Sequence, residues 1–209
     1  MKKDKINDLF KNLIVVIIIS IILISILAII YSFTQDRIKE NETIFKKKAV
    51  LIAAGFALPA KYSQIIELYN SSIKEIGVQN KVEIFSYINK QIDQENVLSK
   101  GYVLIFSGPG LWGEITMALA IANDLETIAG IEIISQNETP GLGGRIVESW
   151  FKNQFKGKNK ISKIISEKEI PAEDEIASIT GATNTTKYVL NLINIGKQYI
   201  KSFNLPKLD

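Results

Sequence analysis

Three glycine-rich segments in the second half of the chain contain residue types that could bind or hold a ligand. They are residues 108–113 (GPGLWG), 138–144 (ETPGLGG) and 180–186 (TGATNTT). Glycine lets the backbone approach a ligand closely, and threonine supplies hydroxyl groups. The 209 residues include no histidine and no cysteine. Catalysis by an imidazole or a thiolate, and metal sites built from them, are therefore excluded, and redox chemistry would need a bound cofactor.

The first segment, residues 108–113, follows an apolar run and formally matches the dinucleotide-binding pattern G-x-G-x-x-G. Glu132 lies near the offset at which that pattern has an acidic residue. The pattern requires a helix to follow, whereas the next residues favour a strand, and Trp112 is bulky where phosphates would approach the backbone. We therefore expect a loop that presents Leu111 and Trp112, with a plain connection between strands as the alternative.

The second segment, residues 138–144, follows a predicted strand. Pro140 and Gly141 are a turn signature, whereas Gly143 and Gly144 would let the backbone approach a flat partner or offer successive N–H groups to an anion. An ordinary strand-to-helix loop explains the same residues. The spacing alone leaves both interpretations open.

The third segment, residues 180–186, precedes an amphipathic run at the C-terminus. Its hydroxyl and amide side chains are typical of a helix N-cap, which Thr185 or Asn184 could provide. The start of a helix also has free N–H groups and a positive dipole end. A phosphate held there by a threonine hydroxyl would therefore be stabilised electrostatically.

Short apolar runs predict the strands that position these segments. Residues 82–88 alternate in polarity, and from residue 101 onward apolar runs are separated by frequent turn residues. The run ITMALAIA fits a strand or a buried helix equally well, and the Asn-Asp pair after it fits a hairpin loop. We expect an α+β fold with a mainly antiparallel sheet and flanking helices.

Apolar residues at three- and four-residue steps predict two helices beside the sheet. One covers residues 62–76 and stops at Gly77. The other covers residues 184–203 and has the apolar stripe Val189, Leu192, Ile193, Gly196, Tyr199, Ile200 and Phe203. Aromatic residues among lysines after Trp150 could form a nucleic-acid stacking surface, but a solvated helix with an aromatic inner edge is the commoner arrangement. Because the net charge is only +3, we expect no nucleic-acid partner.

The N-terminal part of the chain predicts a membrane anchor. Residues 13–33 contain no charge and are long enough to cross a bilayer, whereas a cleavable signal peptide has a shorter apolar stretch. We therefore divide the chain into a basic tail (1–12), a transmembrane helix (13–33), a juxtamembrane segment (34–59) whose first part extends the helix, and one domain (60–209). Lysine and arginine flank the span almost evenly, so the charges leave its orientation open.

The order of anchor, GLWG, ETPGLGG and TGAT resembles the FMN-binding subunits NqrC of the sodium-translocating NADH:quinone reductase and RnfG of the Rnf complex. The resemblance covers nearly the whole chain. In that family the threonine that closes the S/T-G-A-T motif carries FMN through a phosphoester bond, which implies Thr183 here. GPGLWG and the run KKKAVLIAAGF resemble the quinone-reductase branch and favour NqrC. The other cofactor-binding residues implied are Thr180, Gly181, Ala182, Glu138, Thr139, Gly141, Leu142, Gly143, Leu111 and Trp112.

The resemblance implies a redox component of a larger enzyme that is not catalytic alone. It would be an electron-transfer subunit with covalent FMN in an ion-translocating NADH:quinone or ferredoxin:NAD oxidoreductase, with sodium transport as one expectation. Its partners would be the other membrane subunits and, for maturation, a flavin transferase. Its place would be the cytoplasmic (inner) membrane as a single-pass protein, with the domain on the outer face.

A membrane-anchored extracytoplasmic binding or sensory domain without a redox role is the alternative. TGAT would then be a helix cap and ETPGLGG a ligand loop. One departure from the family favours this alternative, because Ala177 stands where the family usually has an acidic residue that the flavin transferase recognises.

Overall fold

The computed structural model describes residues 2–93, 95–203, 205, 206 and 208, and for residues 2–10 it describes the backbone only. The chain divides into two compact units, Met1–Ile44 and Phe45–Asp209. Residues 45–59 of the predicted juxtamembrane segment lie within the second unit. The predicted basic tail begins with Met1, which lies outside the described residues, and its remaining residues are helical.

The first helix, α1 (Lys2–Ala53), contains the predicted span. Its portion Lys11–Ala53 is the one helix among the described residues that is long and apolar enough to cross a membrane. Every side chain from Leu13 to Phe33 is exposed. No described residue of this chain covers its isoleucine and leucine side chains, as expected of a helix that lies in lipid and not of one in a protein core.

The second unit is built on a five-stranded sheet whose strands follow chain order, each antiparallel to the next. The predicted α+β fold with a mainly antiparallel sheet is confirmed, and ITMALAIA is a strand. The strands are β1 (Ile73–Gln79), β2 (Val82–Ile88), β3 (Lys100–Pro109), β4 (Glu114–Ala122) and β5 (Ile128–Ser135).

One helix precedes the sheet in the chain and another follows it, and most of the shorter elements lie between the sheet and the second of these helices. The helices are α2 (Tyr62–Ser72) and α4 (Thr183–Ser202), and the one-turn helix α3 (Ser149–Asn153) follows β5. A small parallel sheet pairs β6 (Lys163–Ile165) with β7 (Glu175–Ala177). 3₁₀ turns cover Val97–Ser99 and Gly143–Val147.

Strand alternation divides the buried side chains into two cores, one on each face of the sheet. Leu104 and Leu119 belong to the core that α4 and the aromatic residues Phe151 and Phe155 complete. Val103 belongs to the other core, which the last turns of α1 and helix α2 complete. Each face of the sheet is therefore covered, and the loops at the end of β3 lie next to α4.

Helix α2 is shorter than predicted. It ends at Ser72, and Ile73 and Ile76 lie in β1, where Ile73 pairs with Tyr87. The helical spacing of isoleucines continued by chance into a segment whose backbone pairs with β2. Gly77, with φ of 148°, stands at a register shift in this strand pair and is not a helix stop.

The C-terminal helix follows the prediction closely. Gly196 and Ile200 of the predicted apolar stripe are buried against the sheet. Phe151 and Phe155, both fully buried, confirm the aromatic inner edge after Trp150, although the helix there is only one turn long.

Candidate functional site

The first glycine-rich segment is the tip of the β3–β4 hairpin. The N–H of Gly110 donates to the carbonyl of Gly113 across 2.7 Å and closes the turn. The side chains of Leu111 and Trp112 are 42% and 71% exposed, which confirms the interpretation as a loop that presents them. The dinucleotide-binding interpretation is wrong, because the chain returns as a strand and Glu132 instead pairs with Lys152 at 2.6 Å.

The second segment forms a loop that leads from β5 into the 3₁₀ turn. The N–H groups of Leu142 and Gly144 both donate to the carbonyl of Thr139, at 3.1 and 2.9 Å. Gly141 has φ of 74°, a conformation that favours glycine. Because two N–H groups are used inside the loop, they are not available to an anion.

Glu138 joins this loop to the two other segments. Its side chain is buried, and Oε1 accepts hydrogen bonds from the N–H groups of Leu111 (2.7 Å) and Trp112 (3.2 Å). Oε2 accepts a hydrogen bond from the hydroxyl of Thr185, also at 2.7 Å. The three segments, widely spaced in the sequence, therefore meet at one carboxylate.

The third segment turns into helix α4, whose first residue is Thr183. Ala182 occupies the N-cap position, and no side chain caps the helix there. The expected cap by Thr185 or Asn184 is therefore wrong, since Thr185 is buried and bonded to Glu138. Thr186 instead accepts from the N–H of Ile179 at 3.2 Å and donates to the carbonyl of Ala182 at 3.3 Å.

Thr183 differs from the threonines around it. It is exposed, and its hydroxyl makes no hydrogen bond with any residue that the structure describes. The preceding Gly181 has φ of 76°, and a Cβ added there would lie 3.0 Å from Cδ2 of Leu142. The second and third segments therefore also touch directly, next to a free hydroxyl at a helix N-terminus.

An ion-pair network holds the backbone of Thr180. The guanidinium of Arg145 donates to both oxygens of Glu167, at 2.9 and 3.2 Å, and Glu167 also accepts from the N–H of Thr180 at 2.6 Å. The Arg145 hydrogen bonds, followed by those from Thr180, lower the pKa of Glu167 from its ordinary 4.5 to about 2. Arg145 also donates to Glu148 and lies over the ring of Trp150.

A cleft of about 380 Å³ opens beside the first turns of α4, and we name it the α4 cleft. It contains no carboxylate among its lining residues, which are Leu111, Asn184, Lys187, Tyr188 and Asn191. Larger clefts of about 690 and 480 Å³ include no residue of the three glycine-rich segments. We therefore assign the site by chemistry and not by size.

The structure brings the predicted site residues together, but in two layers. Leu111, Trp112, Leu142 and Thr183 are exposed at the site, whereas Glu138 lies beneath them. Sequence reasoning missed Arg145 and Glu167, which lie in none of the three segments. No local pattern identifies them, because their partners are far away along the chain.

The residues that form this site match a known domain. A model of the FMN-binding domain matches residues 110–196. The chain is 32% identical to the G subunit of the Na⁺-translocating ferredoxin:NAD⁺ oxidoreductase complex of Acetobacterium woodii, over 93% of this chain and 93% of that protein. The chain belongs to the family of FMN-binding RnfG and NqrC proteins. With its exposed apolar helix, this FMN-binding family member is a single-pass membrane protein.

Similar proteins of the NADH-quinone reductase type include a sequence relative and a solved structure. The C subunit of the Na⁺-translocating NADH-quinone reductase of Pseudomonas aeruginosa is 32% identical, over 50% of this chain and 46% of that one. The crystal structure of Shewanella oneidensis NqrC covers 73% of this chain and 90% of its own, with 19% identity and a TM-score of 0.57. Relatives of both types match over most of their length, since the NqrC of Vibrio anguillarum is 25% identical over 88% of each chain. The preference for the NqrC branch therefore stays a prediction.

The residues of this FMN-binding protein fit its cofactor. FMN combines a flat ring system with a phosphate group, and pockets for such ligands are mostly apolar with a few polar groups. The α4 cleft offers Leu111 and Tyr188 to a ring. Lys187 lines the same cleft one helical turn after Thr183 and would bring a positive charge to the phosphate group.

Proposed function

We propose that the chain is a membrane-anchored electron-transfer subunit of an ion-translocating oxidoreductase of the Rnf or Nqr type, with FMN attached to Thr183 through a phosphoester bond. The other membrane subunits of that complex are its partners, and a flavin transferase attaches the cofactor. The chain is a redox component of the complex and not an enzyme by itself.

The hydroxyl of Thr183, which is exposed and forms no hydrogen bond within the described part of the chain, is the observation that carries this proposal. The nearby threonines 185 and 186 are buried and use their hydroxyls within the protein. An attachment reaction needs a hydroxyl that a second enzyme can reach. Thr183 meets that need and directly precedes Asn184, which lines the α4 cleft. The helix N-terminus would also stabilise the negative charge of the phosphate.

Bound FMN supplies the electron-accepting and electron-donating chemistry, and the chain supplies position and surroundings. Thr180, Gly181 and Ala182 form the turn that presents Thr183. The exposed side chains of Leu111, Trp112 and Leu142 lie on the two loops beside that turn and would shield a ring from water. Thr139, Gly141 and Gly143 fix the shape of the second loop, and Glu138 supports both loops from below.

We also propose that the second unit lies on the outer face of the cytoplasmic (inner) membrane. Free FMN is scarce outside the cytoplasm, so a covalent bond would keep the cofactor where a dissociated one would be lost. The single span would keep the flavin next to the membrane subunits with which it exchanges electrons. This orientation is based on the resemblance to the family, because the lysine and arginine residues on the two sides of the span are nearly balanced in number.

The intact mass of the full-length chain tests the attachment. We expect an FMN-sized increment when the chain is produced with a flavin transferase, its loss in Thr183→Ala, and its retention in Thr183→Ser, which keeps the hydroxyl. Thr43→Ala is the matched control, because it removes an exposed threonine that lies in none of the three glycine-rich segments. An increment that persists in Thr183→Ala would place the bond elsewhere. No increment in the unmodified sequence, with a transferase active on another substrate, would favour the binding or sensory domain.

A further inference from the structure

We propose that Glu138 is a positioning residue whose carboxylate locks the hairpin tip, residues 110–113, to the first turn of α4 and thereby fixes the width of the α4 cleft. The part of this proposal that concerns the flavin rests on the proposed function. The lock itself does not, since it is made entirely of protein groups.

The hydrogen bonds at the carboxylate join two elements that lie far apart in the sequence. Glu138 is 4% exposed, and its two oxygens accept three hydrogen bonds from the hairpin tip and from α4. Bonds to an ionised carboxylate are about twice as strong as those between neutral groups. A buried carboxylate that lost a donor would keep a desolvated oxygen, so the arrangement resists opening.

Two glycines lie so close to the carboxylate that neither position has room for a side chain. A Cβ added at Gly110 would lie 2.5 Å from Oε1 of Glu138, and one added at Gly143 would lie 2.8 Å from Oε2. Side chains at these positions would therefore push the carboxylate away from its donors. One glycine lies beside each carboxylate oxygen, which explains why glycine stands at both positions without any contact with a ligand.

The two elements that Glu138 joins are also the two walls of the α4 cleft. Leu111 donates its N–H to Glu138, and its side chain lines one wall. Thr185 donates its hydroxyl to the same carboxylate from α4, which supplies the opposite wall through Asn184 and Tyr188. Glu138 is not a lining residue of the cleft. Its effect on a ligand in the cleft would therefore be indirect, because Glu138 sets the positions of the two walls and does not touch the ligand.

A tryptophan that the chain already has can report on the lock without flavin. The chain contains two tryptophans, so Trp112 is the only one left in a Trp150→Phe background. In the full-length chain in detergent, we expect lower Trp112 fluorescence anisotropy and faster acrylamide quenching in Thr185→Val than in Thr185→Ser. The two variants form a matched pair, because valine keeps the shape of threonine and serine keeps the hydroxyl.

Titration with FMN then tests the effect on the cleft. Using the chain produced without a transferase, we expect FMN to bind about tenfold more weakly to Thr185→Val than to Thr185→Ser, the loss typical of one hydrogen bond to a charged group. Glu138→Gln serves as a second variant, since its amide oxygen can still accept from the hairpin and its amide nitrogen can donate to Thr185. We expect it to bind FMN with an affinity between those of the other two.

The two measurements separate the possible outcomes. Unchanged Trp112 anisotropy with weakened FMN binding would mean that the Glu138–Thr185 pair acts on the flavin directly, and a mobile Trp112 with unchanged binding would mean that the lock does not set the cleft. Either result, or no change in both, would overturn the proposal. Failure of the unmodified chain to bind free FMN would overturn the part of the proposal that concerns the cleft. The intact-mass test at Thr183 would still decide the proposed function, and the anisotropy comparison would still decide whether the lock exists. Circular dichroism identifies any variant that fails to fold.

Discussion

Gly143 leaves no room for a side chain beside the Glu138 carboxylate. A Cβ there would lie 2.8 Å from both the Glu138 carboxylate and the Thr185 hydroxyl, whereas at Gly144 the nearest atom would be a backbone oxygen at 3.3 Å. Neither glycine has a positive φ, so backbone strain does not distinguish them. A comparison of alanine substitutions at Gly143 and Gly144 therefore isolates the effect of placing a methyl group against the carboxylate.

We expect Gly143→Ala to lower the free energy of unfolding by about 1–3 kcal/mol, the usual cost of overpacking a buried site. Gly144→Ala should cost less than half of that. Thermal denaturation of the full-length chain in detergent measures both. Equal effects of the two substitutions would show that Glu138 can move aside and that the carboxylate is less firmly held than its hydrogen bonds indicate.

Glu167 makes the stability of the site depend on pH. Its pKa is lowered from 4.5 to about 2, chiefly by the Arg145 hydrogen bonds, so the ionised form stabilises the folded state. This contribution is complete above pH 4.5 and is lost as the pH falls toward 2. We expect Glu167→Gln to lower the Tm at pH 7, and the difference from the unmodified chain to shrink progressively below pH 4.5.

The neighbouring Glu169 provides the control for this pH dependence. It is exposed and forms no ion pair within the described part of the chain, so Glu169→Gln should leave the Tm unchanged at pH 7. A Tm difference for Glu167→Gln that stayed constant from pH 7 to pH 3 would contradict the assignment. Such a result would mean that the side chain contributes through packing and not through its charge.

Individual residues of the site were predictable only where a motif contains them. Thr183 and Glu138 were expected from the resemblance, although not the burial of Glu138 beneath the surface of the site. Thr185 was expected to be a helix cap, because its position fits that role and its distant partner leaves no local signal. Arg145 and Glu167 were missed for the same reason, since 22 residues separate them and only the fold brings them together.

Helix α4 depends on a glycine at its closest approach to the sheet. A Cβ at Gly196 would lie 2.4 Å from Cδ2 of Leu119 and 2.7 Å from Cζ of Phe106. Alanine favours an isolated helix by about 1 kcal/mol over glycine, but overpacking a core costs about 1–3 kcal/mol. The two effects oppose each other at this position, and packing should dominate.

We therefore expect Gly196→Ala to lower the Tm and the exposed Asn194→Ala, two residues away, to raise it slightly. Asn194 faces solvent, so its replacement gains helix propensity without a clash. Thermal denaturation followed by circular dichroism compares the two. A higher Tm for Gly196→Ala would mean that the helix can shift outward at little cost, and the distance between α4 and the sheet would then not be fixed by this contact.

Most elements were predictable from polarity patterns, and the failures have a common cause. The alternation over residues 82–88 gave the bounds of β2, and the apolar stripe gave α4 within one residue at each end. The boundary between α2 and β1 was misplaced because the helical spacing of isoleucines ran on into a strand. Backbone pairing with a neighbour decided that segment, and a single sequence does not display pairing.

The orientation of the whole molecule can be measured because the chain lacks cysteine. Val78, on β1 in the second unit, is 68% exposed, so Val78→Cys introduces one accessible thiol. We expect a membrane-impermeant maleimide to label it in intact cells. Asp4→Cys, on the other flank of the span, should be labelled only after lysis. The reverse pattern would place the second unit in the cytoplasm and remove the reason for a covalent tether.

The chain order of the sheet also sets when the site can exist. The strands pair in the order in which a ribosome makes them, so the sheet can form progressively during synthesis. Helix α4, by contrast, is synthesised after the sheet. Glu138 accepts a hydrogen bond from Thr185 in the first turn of this helix, and Glu167 accepts one from Thr180 just before it. Neither carboxylate has all its partners until this part of the chain has been made. The complete site is therefore absent from every nascent chain that ends before Thr185. An enzyme that recognises the assembled site would therefore modify only chains in which α4 has been synthesised and packed against the sheet.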